Sequence, residues 1–278
     1  MAINFTLNGE DVVAQDGETL LDVAKQNDVD IPHLCYSDRQ GSDGNCRACV
    51  VEIDGERVLA PSCCRQPTEG MTVQSNSERA EKSQKMVVEL LKSDVSEKPH
   101  TLNSELDYWA TKLDIGLPRF DARHQPQEDS SHPGIAVNMD ACIQCTRCVR
   151  ACREEQNNDV IGLAMRGTHT QIVFDLDDPM GDSTCVGCGE CVEACPTGAL
   201  TPANDVALVE PDRLVESGCP FCGVGCQMTY AVKDDKIIYV EGRDGPSNKG
   251  RLCVKGRYGF DYVHHPHRLT KPLIRRDD

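Results

Sequence analysis

The sequence predicts an α+β protein assembled from small modules, and three observations carry that expectation. Sixteen of its seventeen cysteines fall into four sets of four along 278 residues. Aromatic residues make up only 4% of the chain and the mean hydropathy is −0.44, too little apolar material for one large core. Short alternating segments and short helical patterns surround the sets. Blocks of roughly 60 to 80 residues lie near the lower limit of what burial alone stabilises, so metal–thiolate bonds would have to supply much of the folding free energy.

The cysteine count is odd, and Met1 leads into a polar, strand-like segment with no apolar signal region. A reducing cytoplasm is therefore expected rather than a secreted disulfide framework. No run of about 18 apolar residues occurs, so no membrane span is expected. A formal charge of −16 argues against nucleic acid as a partner, because phosphate binding needs a basic face. That charge reads first as solubility and second as steering toward a basic partner.

In the first block, residues 1–78, Ile3, Phe5 and Leu7 alternate with polar residues, Asn8 and Gly9 form a turn, and the pattern resumes at Val12 and Val13. This is a hairpin signal. A helix is expected over residues 19–26, with Leu20, Leu21, Val23 and Ala24 on its apolar side, followed by a cysteine loop. Ten residues separate Cys35 from Cys46, two separate Cys46 from Cys49, and thirteen separate Cys49 from Cys63. Gly41, Gly44 and Asn45 let the intervening loop fold tightly. A zinc site is the competing reading, disfavoured because a long glycine-rich loop suits a cluster wrapped by backbone N–H groups. On these residues the block resembles the β-grasp [2Fe-2S] domain of complex I large subunits, NAD-linked hydrogenases and NAD-linked formate dehydrogenases. Cys63 matches the family position of the fourth ligand, and its neighbour Cys64 is the open alternative. His33 reads as structural, because four cysteines already complete the set.

Residues 79–135 read as a helical connector. Ser75 to Glu78 resembles a capping box, and Met86, Val87, Leu90 and Leu91 recur at helical spacing in a helix expected to pack the first block against the next. The resembling proteins carry a histidine and three cysteines here. His100 stands at the histidine position, but the cysteine positions hold Ser104, Asp107 and Leu113, so no cluster is expected. Residues 118–133 read as an exposed connector, with His124 and His132 solvated.

Residues 136–212 carry the strongest signal. Cys142, Cys145, Cys148 and Cys152 have the spacing Cys-x2-Cys-x2-Cys-x3-Cys, and Cys185, Cys188, Cys191 and Cys195 repeat it, followed by Pro196. This is the bacterial-type double [4Fe-4S] pattern, in which three thiolates sit on one tight loop and the fourth reaches across to the other cluster. The expected groups are Cys142, Cys145, Cys148 with Cys195, and Cys185, Cys188, Cys191 with Cys152, each fourth cysteine standing at the start of a helix. Arg153 replaces the proline expected after the first set. Paired zinc ribbons lack the third closely spaced cysteine. A strand is expected over residues 171–174, a turn over 197–200, and His169 reads as a surface residue.

In residues 213–278, Cys219, Cys222 and Cys226 are followed, after twenty-six intervening residues, by Cys253. This resembles the N-terminal [4Fe-4S] domain of molybdopterin oxidoreductases. Gly223 and Gly225 would let backbone approach the cluster. By resemblance, Lys255 matches the family lysine between cluster and pterin, and binds the cofactor along the electron path. Two strands are expected over residues 228–232 and 236–240, turning at Asp234 and Asp235. His264, His265 and His267 read as structural. In the resembling enzymes several hundred further residues hold the metal, so the chain reads as a fragment or a split subunit with no catalytic residue of its own.

The order of blocks resembles the α subunit of a cytoplasmic NAD-dependent formate dehydrogenase. Complex I large subunits are expected to lack the paired ferredoxin, and iron-only hydrogenases to lack the last block. The resemblance implies one [2Fe-2S] and three [4Fe-4S] clusters, a molybdenum or tungsten bis-pterin guanine dinucleotide in a catalytic domain or chain, and FMN and NAD on a diaphorase-type partner. The implied reaction is oxidation of formate to CO2, with electrons passing singly to the flavin subunit. Two other readings stand beside it: the electron-transfer subunit of an NAD-linked hydrogenase, and a free-standing iron-sulfur carrier.

Overall fold

The computed structural model describes residues 2–276; Met1, counted in the first block, and Asp277 and Asp278, counted in the last, lie outside the described residues. Strands β1 (Ile3–Leu7) and β2 (Glu10–Ala14) form the expected hairpin, with Asn8 and Gly9 both at positive φ. Helix α1 (Leu20–Gln26) follows, started by a capping box in which Thr19 and Asp22 satisfy each other's backbone N–H groups. Strands β3 (Val50–Ile53), β4 (Ala60–Pro61) and β5 (Thr72–Gln74) complete a five-stranded sheet of order β2-β1-β5-β3-β4. Only β1 and β5 pair in parallel. Phe5, Leu7, Leu20, Leu21, Val51 and Val73 fill the space between sheet and helix.

Helix α2 (Glu78–Ser93) begins two residues after the expected cap. Its N-cap is Ser77, whose Oγ accepts from the Ala80 N–H at 3.2 Å. Ser75 is held elsewhere, since its N–H donates to Asn8 Oδ1 at 2.8 Å and keeps it at the end of the sheet. After α3 (Glu105–Lys112), a core of Leu34, Cys35, Ala48, Val88, Leu106, Trp109, Ile143 and Cys145 runs without a break from the first block through α2 and α3 into the ferredoxin region. The blocks therefore share a core across the connector.

Residues 118–133 are mostly exposed, as expected, and His124 among them, but the segment is not loose. Arg119 clamps Glu89 through Nε and Nη2, both at 2.7 Å. Arg123 Nη1 donates to the Thr170 carbonyl at 2.7 Å, and Gln125 Nε2 donates to the carbonyls of Asp94 and Cys142, both at 3.1 Å. Polar side chains strap this segment to its neighbours because they bond backbone groups that would otherwise lack partners. His132 departs from the solvated expectation: it is half-buried, its Nδ1 accepts from the Gly134 N–H at 3.1 Å, and burial pushes its pKa down.

The double-ferredoxin body has an internal likeness between its halves. Strand β6 (Ile135–Val137) precedes α4 (Arg147–Arg150), which runs into a π turn at Ala151–Glu155; a hairpin of β7 (Ile161–Ala164) and β8 (Gln171–Phe174) follows, then α5 (Glu190–Ala194) and β9 (Leu200–Pro202), which pairs with β6. The fourth cysteines stand at the ends of the helices, not at their starts. Cys152 lies in the π turn and Cys195 caps the C-terminus of α5.

In the last block, β11 (Gln227–Lys233) and β12 (Lys236–Gly242) turn at Asp234 and Asp235 as expected. They are joined by β10 (Arg213–Gly218), which periodicity missed because every one of its residues is exposed, so it carries no buried face to leave a signal. Helix α6 (Val254–Tyr258) closes the block. Among the described residues its buried apolar side chains are Met228, Ala231, Val232, Val240 and Leu252, a small core to whose order metal ligation would add. Among the described residues no helix is long and apolar enough to cross a membrane.

The shared core gives a direct test. Leu106, with no exposed surface, is expected on replacement by alanine to cost about 2–5 kcal/mol. Hydrogen exchange of the iron-loaded chain should quicken in α2 and α3 together and in the loop around Cys35; quickening confined to α3 would mean that the core is not continuous.

Candidate iron-sulfur centres

The first set is gathered by the loop between α1 and β3, which carries Cys35, Cys46 and Cys49, and by the turn just after β4, which carries Cys63. Cys35, Cys49 and Cys63 are buried and Cys46 is half-buried. The Cys35 N–H donates to Cys46 Sγ at 3.4 Å. Hydrogen bonding to Cys46 and Cys63 pulls the Cys35 thiol far down, and Cys63 does the same to Cys49, while Cys46 and Cys63 are driven up. Such a split arises when several thiols share too few charges, and a metal that takes the protons' place removes the conflict. Cys63 faces this group. Cys64 is exposed, its Sγ 3.6 Å from that of Cys63, and a Cβ on Gly44 would come within 2.8 Å of it. His33 does no ligand work: its Nδ1 meets the Ile31 carbonyl at 2.8 Å, and its ring packs edge-on against Tyr36 and Trp109.

The two ferredoxin sets stand in crossed groups. Burial is the main cause that raises Cys142, Cys145 and Cys148, and Cys195 adds to each; burial and Cys152 act likewise on Cys185, Cys188 and Cys191. Cys142, Cys145, Cys148 and Cys195 also line one small cavity, closed by Ile143, Ile172 and Leu200. Both loops use the same backbone device. The Gln144 N–H donates to Cys142 Sγ at 3.4 Å, and the Gly187 N–H to Cys185 Sγ at 3.3 Å. Gln144 and Thr146 in one loop, and Gly187 and Gly189 in the other, all take positive φ, and the backbone N–H groups of Arg147 and Glu190, the residues that follow, meet Cys145 and Cys188. The Val160 N–H donates to Cys152 Sγ at 3.3 Å.

The last set is the most open. Cys219 and Cys226 are half-buried, whereas Cys222 and Cys253 are exposed. The Cys219 N–H donates to the Cys226 carbonyl at 2.8 Å, and Gly225 makes the turn at φ +75°. Cys253 is the N-cap of α6, and Lys255 is exposed in the first turn of that helix. His264 Nε2 accepts from the Ile237 N–H at 3.1 Å, and His265 Nδ1 accepts from the His267 N–H at 3.1 Å, so both fix the local turn.

Among the described residues no three thiols lie within 4.8 Å of one another; the one such group of metal-type donors is His100, Glu128 and Asp140. His100 is buried, with Nε2 2.9 and 3.0 Å from the two Asp140 oxygens, and Glu128 is paired with Lys98. Ser104 caps α3 by accepting from the Asp107 N–H at 3.2 Å, Asp107 pairs with Lys92, and Leu113 is the C-cap.

Sequence patterns gave no role to the arginines that join the blocks. Arg147 Nη1 holds both Glu105 oxygens at 2.8 Å, and Arg150 donates to the carbonyls of Cys35, Gln40 and Gly41. Asn45 Nδ2 donates to Thr146 Oγ1 at 3.1 Å, which seats the loop of the first set on the loop of the second. Arg257 and Glu190 pair at 2.7 Å, each only 4% exposed. Burial opposes the charge of Arg257, but Glu193 and Glu190 outweigh it and hold its pKa above the ordinary range. Clusters of arginine beside ligand cysteines are the only linear hint of these contacts.

Two outcomes are expected. Cys63→Ser should lose the [2Fe-2S] absorption and EPR signal while Cys64→Ser keeps both; the reverse would exchange their roles. In the iron-free chain, burial pushes the Cys142 thiol from 9.0 up to about 11. A raised thiol pKa contributes stability that is complete below pH 9 and is lost as pH climbs through 11. The urea midpoint of the iron-free chain should fall over that window and that of the iron-loaded chain should not.

Three family models match the chain. A 2Fe-2S iron-sulfur cluster binding domain matches residues 1–78, the ferredoxin-like domain of NADH-quinone oxidoreductase subunit 3 matches 132–201, and the molybdopterin oxidoreductase Fe4S4 domain matches 212–265. The middle match corrects one expectation: a ferredoxin domain of this kind occurs in a complex I subunit, so it does not set the chain apart from that enzyme. Proteins named "Putative formate dehydrogenase" from Staphylococcus haemolyticus and Staphylococcus aureus strain RF122 are each 27% identical over 322 aligned positions. The alignments cover 98% of this chain but 32% of each relative, so the chain spans about a third of their length. A chain in the crystal structure of an NAD+-reducing [NiFe]-hydrogenase in the H2-reduced state superposes with a TM-score of 0.67 at 27% identity, over 73% of this chain and 88% of that one. With two kinds of cluster-binding domain and thiols grouped at cluster spacing, the chain is an iron-sulfur electron-transfer portion of the kind found in formate dehydrogenase-like and NAD-linked hydrogenase-like proteins.

Proposed function

We propose that this chain carries single electrons in a cytoplasmic NAD-dependent formate dehydrogenase, from a molybdenum- or tungsten-pterin centre toward a flavin subunit that reduces NAD. The observation that carries the reading is the unbroken series of ligand loops. Helix α6 rests on the Cys188 loop, the two ferredoxin groups interleave through Cys148, Cys191 and Cys195, and the Cys35 loop sits on Cys145 and Thr146. Cys219, Cys222, Cys226 and Cys253 would hold the [4Fe-4S] cluster nearest the pterin. The crossed groups would hold two more, and Cys35, Cys46, Cys49 and Cys63 the [2Fe-2S] cluster. Each cluster, when bound, supplies one-electron uptake and release without bond making.

The protein's part is placement and tuning. Buried thiolates with few N–H donors favour the less charged oxidised state, whereas the N–H groups of Gln144, Gly187 and Val160 favour the reduced one. The exposure of Cys222 and Cys253 fits an end that faces a catalytic body. Exposed Lys255, two residues beyond Cys253, would reach the pterin. The block at residues 212–265 favours a pterin-bearing partner over a nickel-iron one. The likeness to a hydrogenase chain over 73% of the sequence supports a diaphorase-type flavin partner at the other end.

In anaerobic extract of cells producing the chain, added formate should reduce its [2Fe-2S] centre, read by EPR. Cys222→Ala should abolish that reduction by formate while dithionite still elicits the [2Fe-2S] signal. Reduction by hydrogen and not by formate would mean a hydrogenase. The purified, loaded chain should hold about fourteen irons.

A further inference from the structure

We propose that Arg257 is a positioning residue that fixes the last thiolate set against the Cys185 set and supplies the hydrogen-bonded path between them. The inference rests on the cluster reading above. The Arg257 N–H donates to the Cys253 carbonyl at 3.1 Å, and its Nε donates to the Cys188 carbonyl at 3.0 Å. One residue thus ties a ligand of one set to a ligand of the next, with only its own side chain between.

The surroundings hold that side chain in a single place. Arg257 Nη2 donates to Glu190 Oε1 at 2.7 Å, Nη1 meets Glu193, and Glu190 Oε1 also accepts from the Leu252 N–H at 3.1 Å. From the first block, Arg39 Nη2 donates to Glu190 Oε2 at 3.1 Å and to the Gly250 carbonyl at 2.6 Å. A buried ion pair is poor evidence of stability, since apolar packing would serve as well. What the planar guanidinium adds is direction, because its fork matches only one arrangement of acceptors.

Gly189 supplies an independent sign that this approach is built. It follows Cys188, its φ is +75°, and a Cβ there would lie 2.2 Å from Arg257 Cδ and 2.5 Å from Tyr258 Oη. The loop between Cys188 and Cys191 therefore has no side chain where α6 lies on it, and the two ligand backbones come as near as a helix and a loop can. Clusters bound at the two sets would supply one-electron exchange, with no bond made or broken, and Arg257 would hold the two ligand backbones in place while staying protonated.

Arg257→Lys keeps the charge but removes the Nε donor to Cys188. In the loaded full chain reduced with dithionite, the wild type should show a magnetic interaction between the last centre and the Cys185 centre, assigned by its disappearance in C222A. R257K should retain its iron and both signals and lose that interaction. R39K, whose donors reach the same carboxylates and the Gly250 carbonyl but no carbonyl of a ligand cysteine, should keep it. If R257K fails to hold its iron, the double variant R257Q/E193Q, with one charge removed from each side, takes its place and must show the same loss. An unchanged interaction, or an equal loss in R39K, overturns the role of Arg257. A wild type that lacks either signal overturns the cluster reading, and the bridge with it.

Discussion

Thiolate sulfurs that repel one another, held where water cannot screen them, are the constraint from which this architecture follows. Seven of the sixteen grouped cysteines are buried. Burial raises the Cys148 and Cys191 thiols, and neighbouring sulfurs raise them further. Iron relieves both penalties at once by taking the protons' place, which is why the modules need so little apolar core. The backbone bends to serve the same end, at positive φ in paired positions of the two ferredoxin loops. Where the loops could have been lined by any residue, one uses Gln144 and Thr146 and the other Gly187 and Gly189. The geometry is the shared requirement, and the side chains are not.

What the linear pattern carried and what it missed divide along physical lines. Ligand spacing, the Asn8-Gly9 turn and the start of α1 are local, because each is fixed by residues a few positions apart. The start of α2 was misjudged because two serines compete, and Asn8, sixty-seven positions from Ser75, decides between them. The fourth cysteines were placed at helix starts when they stand at helix ends, a difference that spacing cannot express. Strand β10 has no buried face to leave a period. The strap over residues 118–133 resembles a linker in composition and is tied down only by carbonyls that come from other blocks. Arg147, Arg150 and Arg257 were invisible as a class, since a buried arginine is defined by partners that folding brings to it.

The connector works as a mechanical joint. Ser104, Asp107 and Leu113 cap and pair a short helix. His100 is occupied with Asp140, two residues before Cys142. Leu106 and Trp109 carry the junction, and Cys35 and Cys145 border the same apolar core. Packing, Arg147 and Arg150 thus link the first and second sets.

The contact of Arg39 with the Gly250 carbonyl joins residues 211 positions apart. A ribosome adding about 5–20 residues per second needs on the order of 10–40 s to make that stretch. Throughout that interval Arg39 waits for its partner. The loop that carries Cys35 and Cys46 gains its neighbours in stages, first Leu106 and Trp109 of α3, then Ile143 and Cys145, and last the Gly250 carbonyl. Birth order therefore opposes spatial order: the module made first is finished last.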